Sequence, residues 1–276
     1  MKNEVQLDLF QNLEDEYSLL LKKMALLPLE AIAFSLLKRV VQNVRRAKVN
    51  LLVEQGWLTK KGDTYMLHDR VKAFILEHHH PTLEEMEKPI TFFSKLLKSP
   101  DAITSSVVLE KYINYLNALD TVLNKLRSFN LTIIEFWNAL AFVYQKNGFL
   151  DEALPYFVKV IKINEKLFEE ECEFTIASYH NLASLYALMG EYEKAESVYV
   201  KVIELTKKVL GKEHLAMLTS MNNLAGVYHS MGAYSNAELL YVKLIEKSKK
   251  ILGEEHSDTV IYCRNLEKLY ALMERF

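Results

Sequence analysis

Two groups of histidines are the residues whose types suggest chemistry. His68 and Asp69 are adjacent, a placement that suits the capping of a helix better than an acid/base pair. His78, His79 and His80 could hold a transition metal, but consecutive side chains on a helix point about 100° apart and rarely converge on one ion. No Ser/His/Asp or Cys/His pairing is suggested, and the acids are scattered over helix surfaces. The sequence therefore predicts neither an enzyme nor a metal site.

Three asparagines, Asn181, Asn223 and Asn265, offer chemistry of another kind because they recur at an interval of 42 residues. An asparagine amide both donates and accepts hydrogen bonds, so a row of amides can pair with the backbone of an extended peptide. The same amides could instead hydrogen-bond between neighbouring repeats. The sequence leaves both alternatives open.

Many other positions keep this interval and indicate what must position the asparagines. They are Leu182/Leu224/Leu266, Tyr186/Tyr228/Tyr270, Gly190/Gly232, Tyr192/Tyr234, Ala195/Ala237, Tyr199/Tyr241, Leu210/Leu252, Gly211/Gly253 and His214/His256. A weaker earlier copy is carried by Leu140, Tyr144, Gly148, Ala153 and Phe157. Fixed positions at one period predict stacked copies of one supersecondary unit.

Each copy is predicted to be a helical hairpin. In the middle copy, apolar residues at helical spacing predict a helix over Ile176–Met189. Gly190 ends this helix, because glycine adopts the positive φ of a helix C′ position without steric cost. The small Ala195 then lets the two helices approach closely. His214 and His256 fall in the linkers between hairpins, where we expect them to pack or to cap.

The recurring pattern N-L-A-x-x-Y-x-x-x-G-x-Y-x-x-A-x-x-x-Y, followed by L-G-x-E-H, resembles the tetratricopeptide repeat. It is most similar to the 42-residue variety of the kinesin light chains and of many bacterial regulators. The resemblance covers residues 131–276, as three repeats and a final helix over Asp258–Phe276. Leu215 and Ser257 stand where the family often has proline, which affects the stiffness of the linker and not the fold.

The resemblance implies an α-α superhelix with an inner groove lined by the first helix of each repeat. By helical spacing and by similarity to peptide-binding grooves of this family, the predicted groove residues are Asn138, Gln145, His180, Asn181, Asn222, Asn223, His229, Arg264 and Asn265.

The composition agrees with a mainly all-α protein. Of 276 residues, 50% are hydrophobic and 25% charged, while 8 glycines and 5 prolines suit long helices with short connections. A net charge of -2 provides no overall basic field for nucleic acid or anionic lipid. Cys172 and Cys263 have no ligand-like spacing, and no apolar run approaches the ~20 residues that span a bilayer. We therefore expect a cytoplasmic protein that does not contact membranes.

The N-terminal third follows another pattern. An apolar helix is predicted from Met24 to Leu37, and a second helix over Val49–Gln55. Two short strand-like runs follow, Trp57–Thr59 and Thr64–Leu67, and the Gly-Asp between them is a hairpin signal. A further helix over His68–Leu76 completes three helices and a β-hairpin wing, which is typical of a winged-helix domain.

The combination L-L-P … L-x-x-x-G-W-L … Y-x-L-H-D-x-x-x-x-F-I resembles the winged-helix segment of the STAND (NB-ARC-like) signal-transduction ATPases. Leu67-His68-Asp69 stands where that family has Met-His-Asp, with leucine in place of methionine. The resemblance implies that His68 contacts the β-phosphate of bound ADP as a nucleotide sensor. It also implies that Asp69 caps the next helix.

A phosphate-binding loop of the form G-x-x-x-x-G-K-[ST] does not occur in the sequence. We expect this chain to have no cofactor of its own, and ADP or ATP to bind only with an upstream nucleotide-binding domain. The chain is thus interpreted as a piece of a longer protein, and the alternative is that it has lost nucleotide chemistry. In the longer protein, the active state could be an oligomer.

Winged helices often bind DNA, which keeps a third hypothesis open. Arg45, Arg46 and Lys48 precede the helix that would enter the major groove. Few side chains of that helix can read bases beyond Asn50 and Gln55. Nucleic acid is therefore the less favoured partner.

These observations predict three regions: residues 1–80 as an N-terminal helix and winged-helix domain, 81–130 as a helical adaptor, and 131–276 as the repeat superhelix. Helices over Thr82–Leu97 and Ile103–Phe129 form the adaptor. The predicted function is ligand sensing, in which a protein or peptide binds the repeats and the winged helix relays this to the nucleotide-binding module. The alternative is a stand-alone scaffold or adaptor that uses the repeats alone.

Overall fold

The computed structural model describes residues 13, 15–27, 31–41, 44–78, 82–99, 106–124, 129–168 and 171–274. It divides into two compact units, Met1–Val143 and Tyr144–Phe276. The described residues are mostly helical, with a small antiparallel sheet in the first unit. The predicted fold class is therefore confirmed.

Ten described helices and strands begin in the first unit, and the last of them continues into the second unit. They are α1 (Asp15–Ala25), β1 (Ile32–Ala33), α2 (Phe34–Val40), α3 (Arg46–Glu54), β2 (Leu58–Lys61), β3 (Thr64–Leu67), α4 (Asp69–His78), α5 (Leu83–Leu97), α6 (Val107–Leu123) and α7 (Leu131–Lys146). The second unit continues with α8 (Leu150–Phe168), α9 (Glu173–Leu188), α10 (Tyr192–Val209), α11 (Leu215–Ser230), α12 (Tyr234–Ile251) and α13 (Ser257–Met273).

The sheet has the strand order β1-β3-β2, and all its pairs are antiparallel. Strands β2 and β3 form the predicted hairpin, which closes at the pair Lys61 and Thr64. Gly62 lies in the turn with a φ of 61°, a left-handed conformation that glycine adopts easily. Strand β2 begins one residue later and ends two residues later than the sequence indicated.

The helix predicted from Met24 to Leu37 is wrong. Helix α1 ends at Ala25, and α2 begins at Phe34. Between them Ile32 pairs with Tyr65 of β3. Both residues are buried, so the apolar residues that suggested one continuous helix serve a third strand of the sheet instead.

The predicted adaptor corresponds to α5 and α6. Thr82 caps α5 in a capping box, since its hydroxyl accepts from the Glu85 amide at 3.3 Å and the Glu85 carboxylate accepts from the Thr82 amide at 3.0 Å. Within the described residues α6 is shorter than predicted, and residues 103–105 and 125–128 of the predicted helix lie outside them. The Trp137 indole donates to Asp120 at 2.7 Å, which joins α7 to α6.

Helices α9 to α12 form two of the three hairpins that the repeat pattern predicted. Gly190 and Gly232 follow the first helix of each hairpin with φ values of 76° and 74°. Ala195 and Ala237 are fully buried at 0% exposure in the second helices. Any larger side chain there would separate the helices, which explains why alanine recurs.

The linker histidines cap the helices that follow them. The His214 Nδ1 atom accepts from the Ala216 amide at 3.2 Å, and His256 Nδ1 accepts from the Asp258 amide at 3.2 Å. Each cap satisfies an amide that has no partner within its helix. The predicted linker role of these residues is confirmed.

Polar pairs with the same 42-residue interval connect successive repeats. They are Tyr228 with Glu196 and Tyr270 with Glu238, both at 2.9 Å, and the ion pairs Lys208 with Glu171 and Lys250 with Glu213. The ion-paired side chains are about half-exposed or more, so each pair contributes little to stability.

Candidate functional site

A pocket of about 480 Å³ lies along the first helices of the repeats, α9, α11 and α13. Four of the predicted groove residues line it: Asn222, Asn223, His229 and Asn265. The structure thus brings these four side chains together in one pocket.

The asparagines of this pocket form a hydrogen-bonded ladder across three helices. Asn265 Nδ2 of α13 donates to Asn222 Oδ1 of α11 at 3.0 Å. Asn222 Nδ2 donates to Asn223 Oδ1 at 3.4 Å, and Asn223 Nδ2 lies 3.4 Å from His180 Nε2 of α9. Bonding between repeats, which was one of the two alternatives for these amides, therefore does occur at Asn223 and Asn265.

The hydrogen bonds of His180 indicate its tautomer. The Ser220 hydroxyl donates to the Ala216 carbonyl at 2.9 Å. Ser220 Oγ is therefore free only to accept from His180 Nδ1, which lies at 3.0 Å. The proton is assigned to Nδ1, and the bare Nε2 accepts from Asn223.

Burial keeps His180 neutral and lowers its pKa below the ordinary value of 6.5, because desolvation disfavours the imidazolium. Its ring meets the edge of Tyr199, with 5.6 Å between ring centroids and 71° between planes. Burial also raises the pKa of Tyr199, against hydrogen bonds from Asn223 and Ser184 that lower it. The ladder therefore ends on two aromatic groups that are uncharged at neutral pH.

A second pocket of about 240 Å³ lies between α9 and α11. His180 and Asn181 line it together with Ser220 and Thr219. Asn181 makes no side-chain hydrogen bond to a described residue, in contrast to its counterparts Asn223 and Asn265. Of the three recurring asparagines, Asn181 alone leaves the whole amide to a ligand within the described structure.

Three predicted groove residues line neither pocket. Arg264 is exposed on α13, and Gln145 is half-buried near the end of α7. Asn138 is half-buried in the first unit, and its Oδ1 atom is buried with no partner among the described residues.

Sequence reasoning missed several residues of the large pocket, among them Ser184, Gly226 and Lys268. Each of these three lies three residues after a recurring asparagine and therefore on the same face of its helix. The 42-residue interval could have identified them. They were overlooked because their types differ from repeat to repeat, whereas the pattern was built on types that recur.

The predicted nucleotide-sensor residues lie where β3 meets α4. His68 is half-buried, and its amide donates to the Trp57 carbonyl at 3.4 Å. Asp69 is exposed and is the first residue of α4, so it lies within the first turn and is not the residue that precedes the helix. The negative charge of Asp69 is stabilised there by the positive end of the helix dipole. Of the three histidines at the other end of α4, His79 and His80 lie outside the described residues.

Two of the side chains considered for DNA binding, Asn50 and Arg46, are engaged within the first unit. Asn50 Oδ1 accepts from Lys60 Nζ at 3.2 Å and from the Tyr65 hydroxyl at 3.0 Å. Arg46 forms an ion pair with Asp63, and its guanidinium lies 4.3 Å from the centre of the Phe34 ring. These contacts fasten α3 to the hairpin and compete with contacts to bases and phosphates.

Within the described ranges, no three His, Cys, Asp or Glu side chains are grouped so that they could hold a metal ion. None of the helices in those ranges combines the length and the apolar character that crossing a lipid bilayer requires.

Comparison with known proteins assigns part of the chain to a repeat family. Residues 132–208 and 181–250 match the model of the tetratricopeptide repeat family, so this part of the chain consists of tetratricopeptide repeats. No curated protein matches the sequence significantly.

Solved structures agree with this assignment. Two structures of a kinesin-light-chain-like protein from Podosopora anserina with nearly identical TPR-like repeats are each 23% identical and cover 68% of this chain. They are themselves covered over 88% and 89% of their length, with TM-scores of 0.58 and 0.57. At this identity the likeness shows the fold alone.

A STAND protein with a tetratricopeptide repeat sensor from Pyrococcus horikoshii also matches, over 100% of this chain and 58% of its own. It is 17% identical and has a TM-score of 0.30. A TM-score this low carries no argument about a shared arrangement.

Proposed function

Starting from a region of tetratricopeptide repeats, we propose that the groove along α9, α11 and α13 binds an extended peptide segment of a partner protein. The observation that carries the proposal is the amide row of Asn181, Asn223 and Asn265, placed along two pockets. These amides can pair with a peptide backbone whatever its side chains are.

The ladder leaves part of this capacity unused. A carboxamide has two N–H groups and an oxygen with two lone pairs. Asn222 uses one N–H towards Asn223 and accepts one bond from Asn265, so one N–H and one lone pair remain. Asn222 is half-buried and lines the pocket, and a bound backbone can therefore reach it.

A random-peptide library displayed on phage tests this proposal with the full chain. We expect selected peptides to bind the wild type and to lose at least tenfold in affinity for the double variant Asn181→Ala/Asn223→Ala. Asn236→Ala is the matched control, because Asn236 is exposed on α12 and lines neither pocket. Equal binding by the double variant and the control would refute the role of the amides.

The second part of the proposal is a relay. We infer that the N-terminal helices and the wing connect the repeats to a nucleotide-binding module of a longer STAND-type protein. What supports this is the Leu67-His68-Asp69 sequence at the junction of β3 and α4. The test replaces His68 by Ala in the longer protein and measures retained ADP and signalling output.

A relay predicts that His68→Ala releases ADP and raises output, while His78→Ala at the other end of α4 leaves both unchanged. The alternative function, a plain scaffold or adaptor, predicts no effect of His68→Ala beyond stability. The ladder itself favours that alternative, because it shows that the recurring amides also hold the repeats together. DNA binding is disfavoured by the contacts that engage Asn50 and Arg46.

A further inference from the structure

Gly226 lies in the interior of α11, where glycine is unfavourable. Glycine loses more backbone entropy on folding than other residues and weakens a helix relative to alanine. A residue of this kind in the middle of a helix usually has a packing or a functional reason. The structure shows which of the two applies.

Packing does not require the glycine. A Cβ atom built on Gly226 meets no heavy atom within 4 Å outside its own helix, and no positive φ is recorded at this position. Both the backbone conformation and the neighbouring space would accept alanine. The space over Gly226 instead belongs to the 480 Å³ pocket, which Gly226 lines.

The equivalent positions of the neighbouring repeats are Ser184 and Lys268, and both line the same pocket. At this position of the groove, α9 therefore has a small hydroxyl side chain, α11 has none, and α13 has a long lysine side chain. Of these three positions, Gly226 leaves the most space for a side chain of a bound peptide.

The walls define what fits there. Ala187, Leu188 and Tyr192 line one side, and Leu188 is 59% exposed although it is a large apolar residue. No described lining residue is acidic, and the lining cation, Lys268, would repel a second one. Neither Ala187 nor Leu188 can pair with a charge, so a charged group held against them on α9 would lose hydration without gaining a partner there. We propose that Gly226 creates a subsite for one large uncharged side chain of the bound segment.

This inference rests on the proposed peptide-binding function, and one experiment separates the two. The probes are synthetic peptides taken from the phage selection on the wild-type chain. Their affinities are measured by fluorescence anisotropy for wild type, Gly226→Ala, Gly226→Leu, Asn223→Ala and the surface control Asn236→Leu. Thermal unfolding is recorded for each chain without peptide.

We expect the selected peptides to share one large uncharged residue whose replacement by alanine weakens binding at least tenfold. Gly226→Leu should weaken binding by a similar factor, and the two changes should not be additive. Gly226→Ala should unfold about 2–4 °C above the wild type. Alanine favours the helix more than glycine does, and its Cβ atom meets no neighbouring side chain or element.

The outcomes are distinct. If no peptide is selected, or if Asn223→Ala binds like Asn236→Leu, the proposed function fails and this inference falls with it. If Asn223→Ala weakens binding while Gly226→Leu binds like the control, the function stands and the subsite is refuted. A lower unfolding temperature for Gly226→Ala would also refute the inference, because the glycine would then be a packing requirement.

Discussion

Alanine substitution of the three recurring asparagines separates their structural role from their binding role. Asn265→Ala removes the 3.0 Å hydrogen bond to Asn222. Both residues are half-buried, so we expect the free energy of unfolding to fall by about 0.5–1.5 kcal/mol. For a chain of this size, each kcal/mol lowers the unfolding temperature by about 2–4 °C.

Asn181→Ala is the contrasting change. Since the Asn181 amide bonds to no described side chain, its loss should alter the free energy of unfolding by less than about 0.5 kcal/mol. It still lines the smaller pocket, so peptides that bind the groove should lose affinity for it. Asn265→Ala should therefore lower both the stability and the affinity, whereas Asn181→Ala should lower the affinity alone.

Urea unfolding monitored by circular dichroism measures the stability, and anisotropy of labelled peptides measures the affinity. Asn236→Ala again serves as the control. The reasoning is refuted if Asn181→Ala binds every selected peptide like the control while Asn265→Ala loses affinity only in proportion to its stability. The recurring amides would then be structural in all three repeats.

Three further predictions concern the fold, its pH dependence and the natural size of the protein. Ala195→Leu should lower the free energy of unfolding by about 1–3 kcal/mol in urea, because the side chain is fully buried between two helices. Because the folded-state pKa of His180 is lowered, the stability from its neutral form is complete above pH 6.5 and is lost as the pH falls through the folded pKa. The difference in unfolding free energy between wild type and His180→Gln should therefore shrink on acidification. An antibody against residues 131–276 should detect a band far above 32.0 kDa in a host lysate, whereas a band at that mass would favour the scaffold.

The repeats were predictable because their information is local and redundant. Each hairpin repeats the same glycine, alanine and tyrosine positions, and those positions report the helix ends and the close helix contact directly. Gly190 and Ala195 do in the structure what their types require, a positive φ and full burial. The period then extends the assignment from one hairpin to the next.

The segment after α1 shows why the first unit was harder to predict. An apolar run is compatible with a buried helix or with a buried strand, and only a partner decides between them. The partner of Ile32 is Tyr65, more than thirty residues away in the sequence. No local pattern contains that pairing, so the third strand was read as part of a helix.

The recurring asparagines of the candidate site could be recognised in the sequence, but their hydrogen bonds could not. The sequence shows that Asn223 and Asn265 recur, and the structure shows that each reaches the residue 43 positions earlier, His180 and Asn222. Equivalent positions in successive repeats are 42 residues apart, but these two contacts join residues that are 43 apart. The identity of the acceptor, histidine in one repeat and asparagine in the next, also hides the contact from a search for recurring types.

The hydrogen-bonded ladder couples the binding of a peptide to the stability of the repeats. Because Asn222 and Asn223 both donate and accept within it, a backbone that bonds to either one also fixes the orientation of the other. Ligand that binds the folded chain and not the unfolded one stabilises it by RT ln(1 + [L]/Kd), about 2.7 kcal/mol at a hundredfold excess over Kd. A peptide across α9, α11 and α13 would therefore stiffen three helices at once. A relay needs a change of this kind, in which one binding event alters a whole stack of repeats.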